Sequence, residues 1–450
     1  MQQQLSYQFY ISISSLAAFI IYALTDLEFA SAIGLGFFIF FSLKFFFELG
    51  YLIEVRDVII LIALLQWIIG PILSYRIVKD DIFYGMEIPE SEYMAFVLPA
   101  SIAFIFGLYL PLWQSKIRTT DILDKIRELL YKYRNLDLIL IGIGTVSALL
   151  EDFMPQSLRF AFYLTANVRF VGLFFLILNT RKYKWGIFGL VIGWFFITTL
   201  KDAMFHDLIL WMGFLSMVLA FIFKPSIMQK SIILVVLFFG VFMIQSVKHE
   251  FRKLKTEIVD SDAQVFSELV TDRLSNSVLL FHEENLKATV TRINQGWIIA
   301  AIMNYTPRMT PFADGETIKE ALFASFLPRF LAPNKVKAGG QENFMRFTGR
   351  YLREGTSMNL SILGEGYANF GIFGGGIFIF LVGAFYNFFY NYILQRTSIN
   401  PTLLFWIPLL FLQVVKAEGD FAISLNHLVK STIVVAGLFW AIPYFFKVKL

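Results

Sequence analysis

Cysteine is absent from the chain, which excludes disulfides, thiolate metal sites and a cysteine nucleophile. Charge is scarce as well. Asp, Glu, Lys and Arg make up 16% of the 450 residues, while 57% are hydrophobic and 18% aromatic; a soluble domain carries about 25% charged residues. That balance excludes a soluble globular protein and places the chain among integral membrane proteins. Histidine occurs only four times. The group His282, Glu283 and Glu284 lacks the second histidine four residues on that a zinc-protease helix needs, so no metal site is expected. The opening MQQQLSY has no basic stretch and no small-residue cleavage site, so the first apolar run is expected to be a retained anchor. The short alternating segments of a transmembrane barrel are missing too, which leaves an α-helical bundle. The net charge of +4 implies no nucleic-acid partner, because the basic residues fall where cytoplasmic loops belong.

What is present is a series of apolar runs of about 17–25 residues, each able to cross about 30 Å of hydrocarbon as a helix. From Phe9–Leu24 to His427–Phe446, and including Leu136–Phe153 and Thr402–Val415, they predict an all-α polytopic bundle of about twelve transmembrane helices. Three parts follow: residues 1–247 with the first nine spans, a hydrophilic segment 248–371, and residues 372–450 with the last three.

Lysine and arginine set the orientation. With both termini cytoplasmic, the inner loops hold Lys116, Arg118, Lys125, Arg127, Lys132, Arg134, Arg181, Lys182, Lys184, Lys224, Lys230, Arg396, Lys447 and Lys449, whereas the short outer loops hold few basic residues. Segment 248–371 then lies on the outer face, where neither ATP nor a nucleotide sugar is at hand. The inner stretch 115–135 has the pattern of an interfacial helix contacting anionic lipids. In the outer segment, Val265, Phe266, Leu269, Val270 and Leu274 mark an amphipathic helix resting on the membrane domain. Trp297–Met303, apolar but too short to span, is expected to dip into the interface or pack on the bundle.

The outer segment is rich in arginine: Arg292, Arg308, Arg329, Arg346, Arg350 and Arg353. Were FMRFTGRYLRE helical, Arg346, Arg350 and Arg353 would share one face beside Phe344, Phe347 and Tyr351, an arrangement suited to a phosphate-bearing ligand or to lipid head groups. Arg159 and Arg169 sit within the span Leu158–Asn179, where an ionised group is costly unless it is paired or hydrated. Lys201, Asp202, His206, Asp207, Lys416, Glu418, Asp420, His427 and Lys430 all reach the outer end.

The stretch TSMNLSILGEGYANFGIFGGGIFIFLVGAFYNFF resembles the end of the large periplasmic loop and the following helix of Wzy-type O-antigen and oligosaccharide repeat-unit polymerases. RINQGWIIAAIMNYTP, PFADGETI and LPRFLAP are similar to segments of the same proteins, so the likeness covers mainly Arg292–Phe389 and the many-helix layout. The resemblance implies a GT-C-like membrane fold in the bacterial cytoplasmic membrane. It also implies a glycosyltransferase working without metal or cofactor on an undecaprenyl-pyrophosphate-linked oligosaccharide, with membrane lipids around it and a chain-length regulator protein as a further partner. Arginines would hold the departing pyrophosphate, with Arg169, Arg292, Arg346, Arg350 and Arg353 as candidates. The acceptor hydroxyl needs a base, for which Glu365 is the first candidate and His427 the second. Tyr367 and Asn369 are placed to hydrogen-bond sugar hydroxyls, and GIFGGG permits close helix packing. A ligase passing finished glycan to another acceptor would share all these features. A lipid-glycan flippase would instead show internal repeats and broken helices near the midplane, and an acyltransferase would need an intramembrane histidine.

Overall fold

The computed structural model describes residues 7–79, 81–111, 119–257, 262–275, 283–326, 340–353 and 356–447; Lys116, Arg118, His282, Arg329 and Lys449 of the sequence reading lie outside them. Among the described residues there are helices and turns but no β-strand. Ten helices are long and apolar enough to cross a membrane: α1 (Tyr7–Leu24), α2 (Phe29–Glu48), α3 (Val55–Ile77), α4 (Glu90–Leu108), α7 (Gln156–Leu178), α8 (Lys184–Asp202), α9 (His206–Phe223), α10 (Ile227–Glu257, apolar to Lys248), α16 (Ile362–Arg396) and α18 (Phe421–Phe446). Between them lie α5 (Thr119–Lys132), α6 (Leu136–Leu150), α11 (Asp262–Ser275), α12 (Glu283–Ile293), α13 (Gly296–Tyr305), α14 (Glu316–Phe326), α15 (Gln341–Thr348) and α17 (Pro401–Phe411).

Two of the expected spans differ from expectation. Leu136–Phe153 yields α6, whose 15 residues rise only about 22 Å. Thr402–Val415 becomes α17, a 3₁₀ stretch Pro401–Trp406 followed by a single turn Ile407–Phe411. Pro401 and Pro408 each remove a backbone donor there. Irregular backbone survives in an apolar surrounding only inside protein, and Leu404–Leu412 is accordingly fully enclosed. The boundary expected between residues 371 and 372 also moves. α16 runs through it, bent at Gly371 with φ 65° and ψ −162°, and α10 continues past residue 247 to Glu257.

One end of the bundle is closed by buried ion pairs. Lys44 Nζ lies 2.6 Å from Asp57 and 3.0 Å from Glu48, and Tyr109 also donates to Asp57. Arg56 is held by Glu54 and Asn387 between the rings of Tyr109 and Tyr390. Arg181 pairs with the buried Asp137. Helix α5 turns Ile122, Leu123, Ile126 and Leu130 inward against α7 and the 3₁₀ stretch of α17. Its apolar face is therefore covered by protein, not by lipid as expected.

At the opposite end, the long connection between α10 and α16 folds onto the bundle. α11 buries Val265, Phe266 and Leu269, with Phe266 packed on Phe196, Phe205 and Phe251, while Leu274 stays exposed. α13 is enclosed from Gly296 to Met303, as its length and composition predict. Its seat is made by a π-helical turn, Leu65–Ile69, inside α3. Widening the helix there frees backbone carbonyls: Gln66 O accepts from Gln295 N at 3.0 Å and Trp67 O from the Tyr93 hydroxyl at 2.7 Å. Next to that turn, a Cβ on Gly70 would sit 2.5 Å from the Ile293 carbonyl oxygen, so the two backbones meet where only hydrogen fits.

Candidate functional site

The hydrogen bonds between α16, α18 and the start of α14 with the residues just before it begin at Glu365. Its side chain is enclosed, with the residue 2% exposed. One carboxylate oxygen accepts from the Thr317 hydroxyl at 2.7 Å and the other from the Phe421 backbone N–H at 2.7 Å. Phe421 opens α18, whose free amides favour negative charge, and Asp420 caps the same end by accepting from Ile423 N at 2.9 Å. Burial pushes the Asp420 carboxyl above its ordinary value. Asn369, fully buried, donates to the Thr317 hydroxyl at 2.8 Å and to the Glu365 carbonyl at 2.9 Å, and accepts from Gly315 N at 3.1 Å. Tyr367 is enclosed between Phe96 and Phe312. The expected base and sugar-binding residues of LGEGYANFG are thus spent on joining chain segments. Both Glu365 oxygens are already occupied, and Asn369 has no exposed surface.

His427 meets a similar limit. It is fully buried in the second turn of α18, and its Nε2 lies 2.9 Å from the Leu409 carbonyl oxygen. An oxygen acceptor there requires Nε2 to carry the proton. Leu409 belongs to the broken segment α17, where its carbonyl has only a long internal hydrogen bond, from the Leu412 N–H at 3.5 Å. The histidine makes up that deficit. Its Nδ1 is enclosed, with no hydrogen-bond partner among the described residues, beside Phe160.

The three arginines of FMRFTGRYLRE do not form one face. α15 ends at Thr348 because Gly349 takes φ +66°, and its N–H bonds back to the Met345 carbonyl at 3.0 Å, a left-handed helix stop that glycine permits. Arg346 pairs with Glu316 at 2.7 Å over the Phe347 ring, and its hydrogen bond holds the Glu316 carboxyl below the usual range. Arg350 is clamped elsewhere. It donates to Glu87 at 2.9 Å and to the Phe83 carbonyl, and its guanidinium lies over both Phe83 and Trp297. Arg353 is exposed on the extended segment that follows. Arg169 is buried against Phe170 and Phe195, within electrostatic reach of Glu151, and among the described residues its Nε has no hydrogen-bond partner. Arg159 reaches the Asp152 carbonyl at 3.4 Å.

One expected arginine does join a cationic group. Arg292, at the end of α12, acts electrostatically on both Lys248 and Arg252, which sit four residues apart on α10 and so share a face. Arg252 donates twice to the Ala203 carbonyl at the end of α8, at 3.1 and 2.9 Å. Burial, and next the charge of Arg292, lower its affinity for its proton. Among the described residues no carboxylate is ion-paired with Lys248, Arg252 or Arg292. Glu418 is the carboxylate within electrostatic reach of Lys248. It accepts from His206 Nδ1 at 3.1 Å. Beside that pair, Asp207 accepts from Lys416 at 2.9 Å and from the Tyr163 hydroxyl at 2.6 Å.

Sequence reasoning reached His206, Asp207, Lys416, Glu418 and Arg292 as outer-end groups. It missed Lys248, Arg252 and Tyr163, although the run KHEFRKLK directly after the apolar part of α10 carried the signal. The backbone just below is braced: Trp67 Nε1 donates to the Ser361 hydroxyl at 2.9 Å, which donates to the Ala417 carbonyl at 2.7 Å. A small cavity there is lined by Trp67, Ile362, Tyr386, Lys416, Ala417 and Ser424 among others. Taken together, three cations, a histidine–carboxylate pair and adjoining hydroxyl and ammonium donors make a site suited to a polyanionic, hydroxyl-rich ligand. No protein-family model matches the chain, and no curated protein or solved structure matches it either.

Proposed function

We propose that this multi-pass membrane protein is a metal-independent glycosyltransferase of the Wzy type, which polymerises undecaprenyl-pyrophosphate-linked oligosaccharide units at the outer leaflet of a bacterial cytoplasmic membrane. The observation that carries the reading is the group Lys248, Arg252 and Arg292, cations within electrostatic reach of one another and, among the described residues, without an ion-paired carboxylate, at the end where the long connection packs. The Lys and Arg bias of the loops assigns that end to the outside. A donor bearing its own pyrophosphate needs no nucleotide there. It needs positive charge where negative charge grows as the glycosidic bond breaks. On this reading the cationic group holds the pyrophosphate, the acceptor hydroxyl oxygen bonds to the anomeric carbon, and the electron pair of the broken C–O bond leaves on the phosphate.

Deleting the gene and resolving surface glycan on a gel tests this. Single units on the terminal acceptor are the expected result. Full-length glycan retained on the lipid carrier would assign the chain to the ligases instead. A lipid-glycan carrier is a second reading, favoured by two interrupted segments, the π turn in α3 and the broken α17, since carriers place irregular helices at their binding sites. Accumulation of lipid-linked units on the inner leaflet would support that alternative and overturn the polymerase.

A further inference from the structure

The catalytic base remains unassigned once Glu365 and His427 are spent on the fold, because a proton acceptor must be reachable by the hydroxyl it serves. We propose that His206 is that base and that Glu418 positions it, the two forming a dyad at the edge of the cationic group; this rests on the glycan-transfer reading above. The side chains are 39% and 35% exposed, and His206 Nδ1 lies 3.1 Å from Glu418 Oε1. They are therefore open to a ligand, in contrast to the enclosed Glu365 and His427.

The carboxylate fixes the imidazole's tautomer. An ionised Glu418 only accepts, so Nδ1 carries the proton and Nε2 keeps its lone pair. Burial alone would raise the Glu418 carboxyl, but the hydrogen bond from His206, with the charges of Lys416 and Lys248, brings it below its ordinary value. It thus stays ionised at neutral pH. Asp207, next in sequence to His206, is a poorer base, since Lys416 and Tyr163 already occupy both of its oxygens.

The position also suits the reaction. His206 opens α9 immediately after the α8 end at Ala203, whose carbonyl is gripped by Arg252, and Glu418 reaches Lys248 electrostatically. A pyrophosphate on the cations would hold its sugar near the dyad. His206 Nε2 takes the proton of the acceptor hydroxyl as that oxygen bonds to the anomeric carbon. The pyrophosphate departs with the electron pair, and the imidazolium returns its proton to water.

The purified full-length protein in proteoliposomes, supplied with lipid-linked oligosaccharide extracted from the deletion strain, provides the test. His206→Gln is expected to lower kcat by about 10²- to 10⁴-fold with the donor KM unchanged. His206→Ala is expected to regain part of the lost rate when imidazole is added to the solution, and Glu418→Gln to lose less than either. An active parent protein with a His206→Gln variant of near-normal kcat would overturn the dyad and leave the transferase reading standing. A His206→Ala variant that imidazole fails to revive would overturn it too, leaving the pair as a brace between two turns. A parent protein that transfers no sugar would instead remove the transferase reading and the dyad together.

Discussion

Glu365 and Glu418 are both carboxylates at the mouth of the bundle, and their surroundings give them opposite sensitivities. Replacing Glu365 by alanine strands the Phe421 N–H and the Thr317 hydroxyl, two donors that the carboxylate now satisfies. Each unpaired buried group costs about 1–3 kcal/mol, so the melting temperature of the detergent-solubilised protein is expected to fall clearly. Glu365→Gln retains an acceptor oxygen and is expected to keep most of its activity; a folded glutamine variant without activity would return Glu365 to the role of base. For Glu418 the sign is set by pH. Its carboxyl is held below its ordinary value in the folded protein, so the folded state binds fewer protons than the unfolded one wherever the two differ. That stabilisation is complete above the unfolded value, about 4.3, and is lost as pH falls through the folded one. Melting curves recorded between neutral and strongly acidic pH are expected to show a smaller acid-induced drop in Glu418→Gln than in the parent.

Among the elements, α17 shows why sequence patterns reach only so far. LLFWIPLLFLQVV is apolar enough to be taken for a crossing helix. Hydrophobicity reports burial, however, and not hydrogen-bond geometry; the two prolines were the only warning. The partner that supports the break, His427, lies 18 residues beyond Leu409. His427→Leu is expected to destabilise the fold by about 0.5–1.5 kcal/mol by removing the shorter of the two hydrogen bonds to the Leu409 carbonyl, with His427→Gln recovering part of the loss, as thermal unfolding would show. The π turn in α3 was hidden more completely, since Leu65–Ile69 is ordinary apolar helix sequence with one glutamine. The arginine row failed for a reason that was visible: Gly349 stands in the middle of the pattern, and a glycine there commonly ends a helix. The amphipathic helix α11 and the enclosed α13 were legible because their apolar positions recur at helical spacing or fill a run too short to span.

At the scale of the whole molecule, composition alone fixed the class, and the gathering of ionisable side chains at one end was readable from where they interrupt the apolar runs. Which of them meet was not readable, because Lys248, Arg292 and Glu418 come from distant parts of the chain. Their meeting makes a prediction for glycan length. Arg292→Ala and Lys248→Ala are expected to abolish polymer at normal membrane abundance, whereas Arg346→Ala, which breaks only a half-exposed pair with Glu316 worth about 0–1 kcal/mol, should leave chain lengths near normal on a gel. Equal loss in all three variants would deny the cationic group any special part. The seat of α13 has a consequence for biogenesis. This ten-residue plug is synthesised after α3 and α4 but before α16, against which it also packs. Ribosome and translocon therefore deliver it to a half-built socket, and the wall that encloses it arrives only with the last fifth of the polypeptide. A nascent chain halted before Ser361 would carry an unsheltered greasy segment, the kind of surface that quality-control proteases recognise.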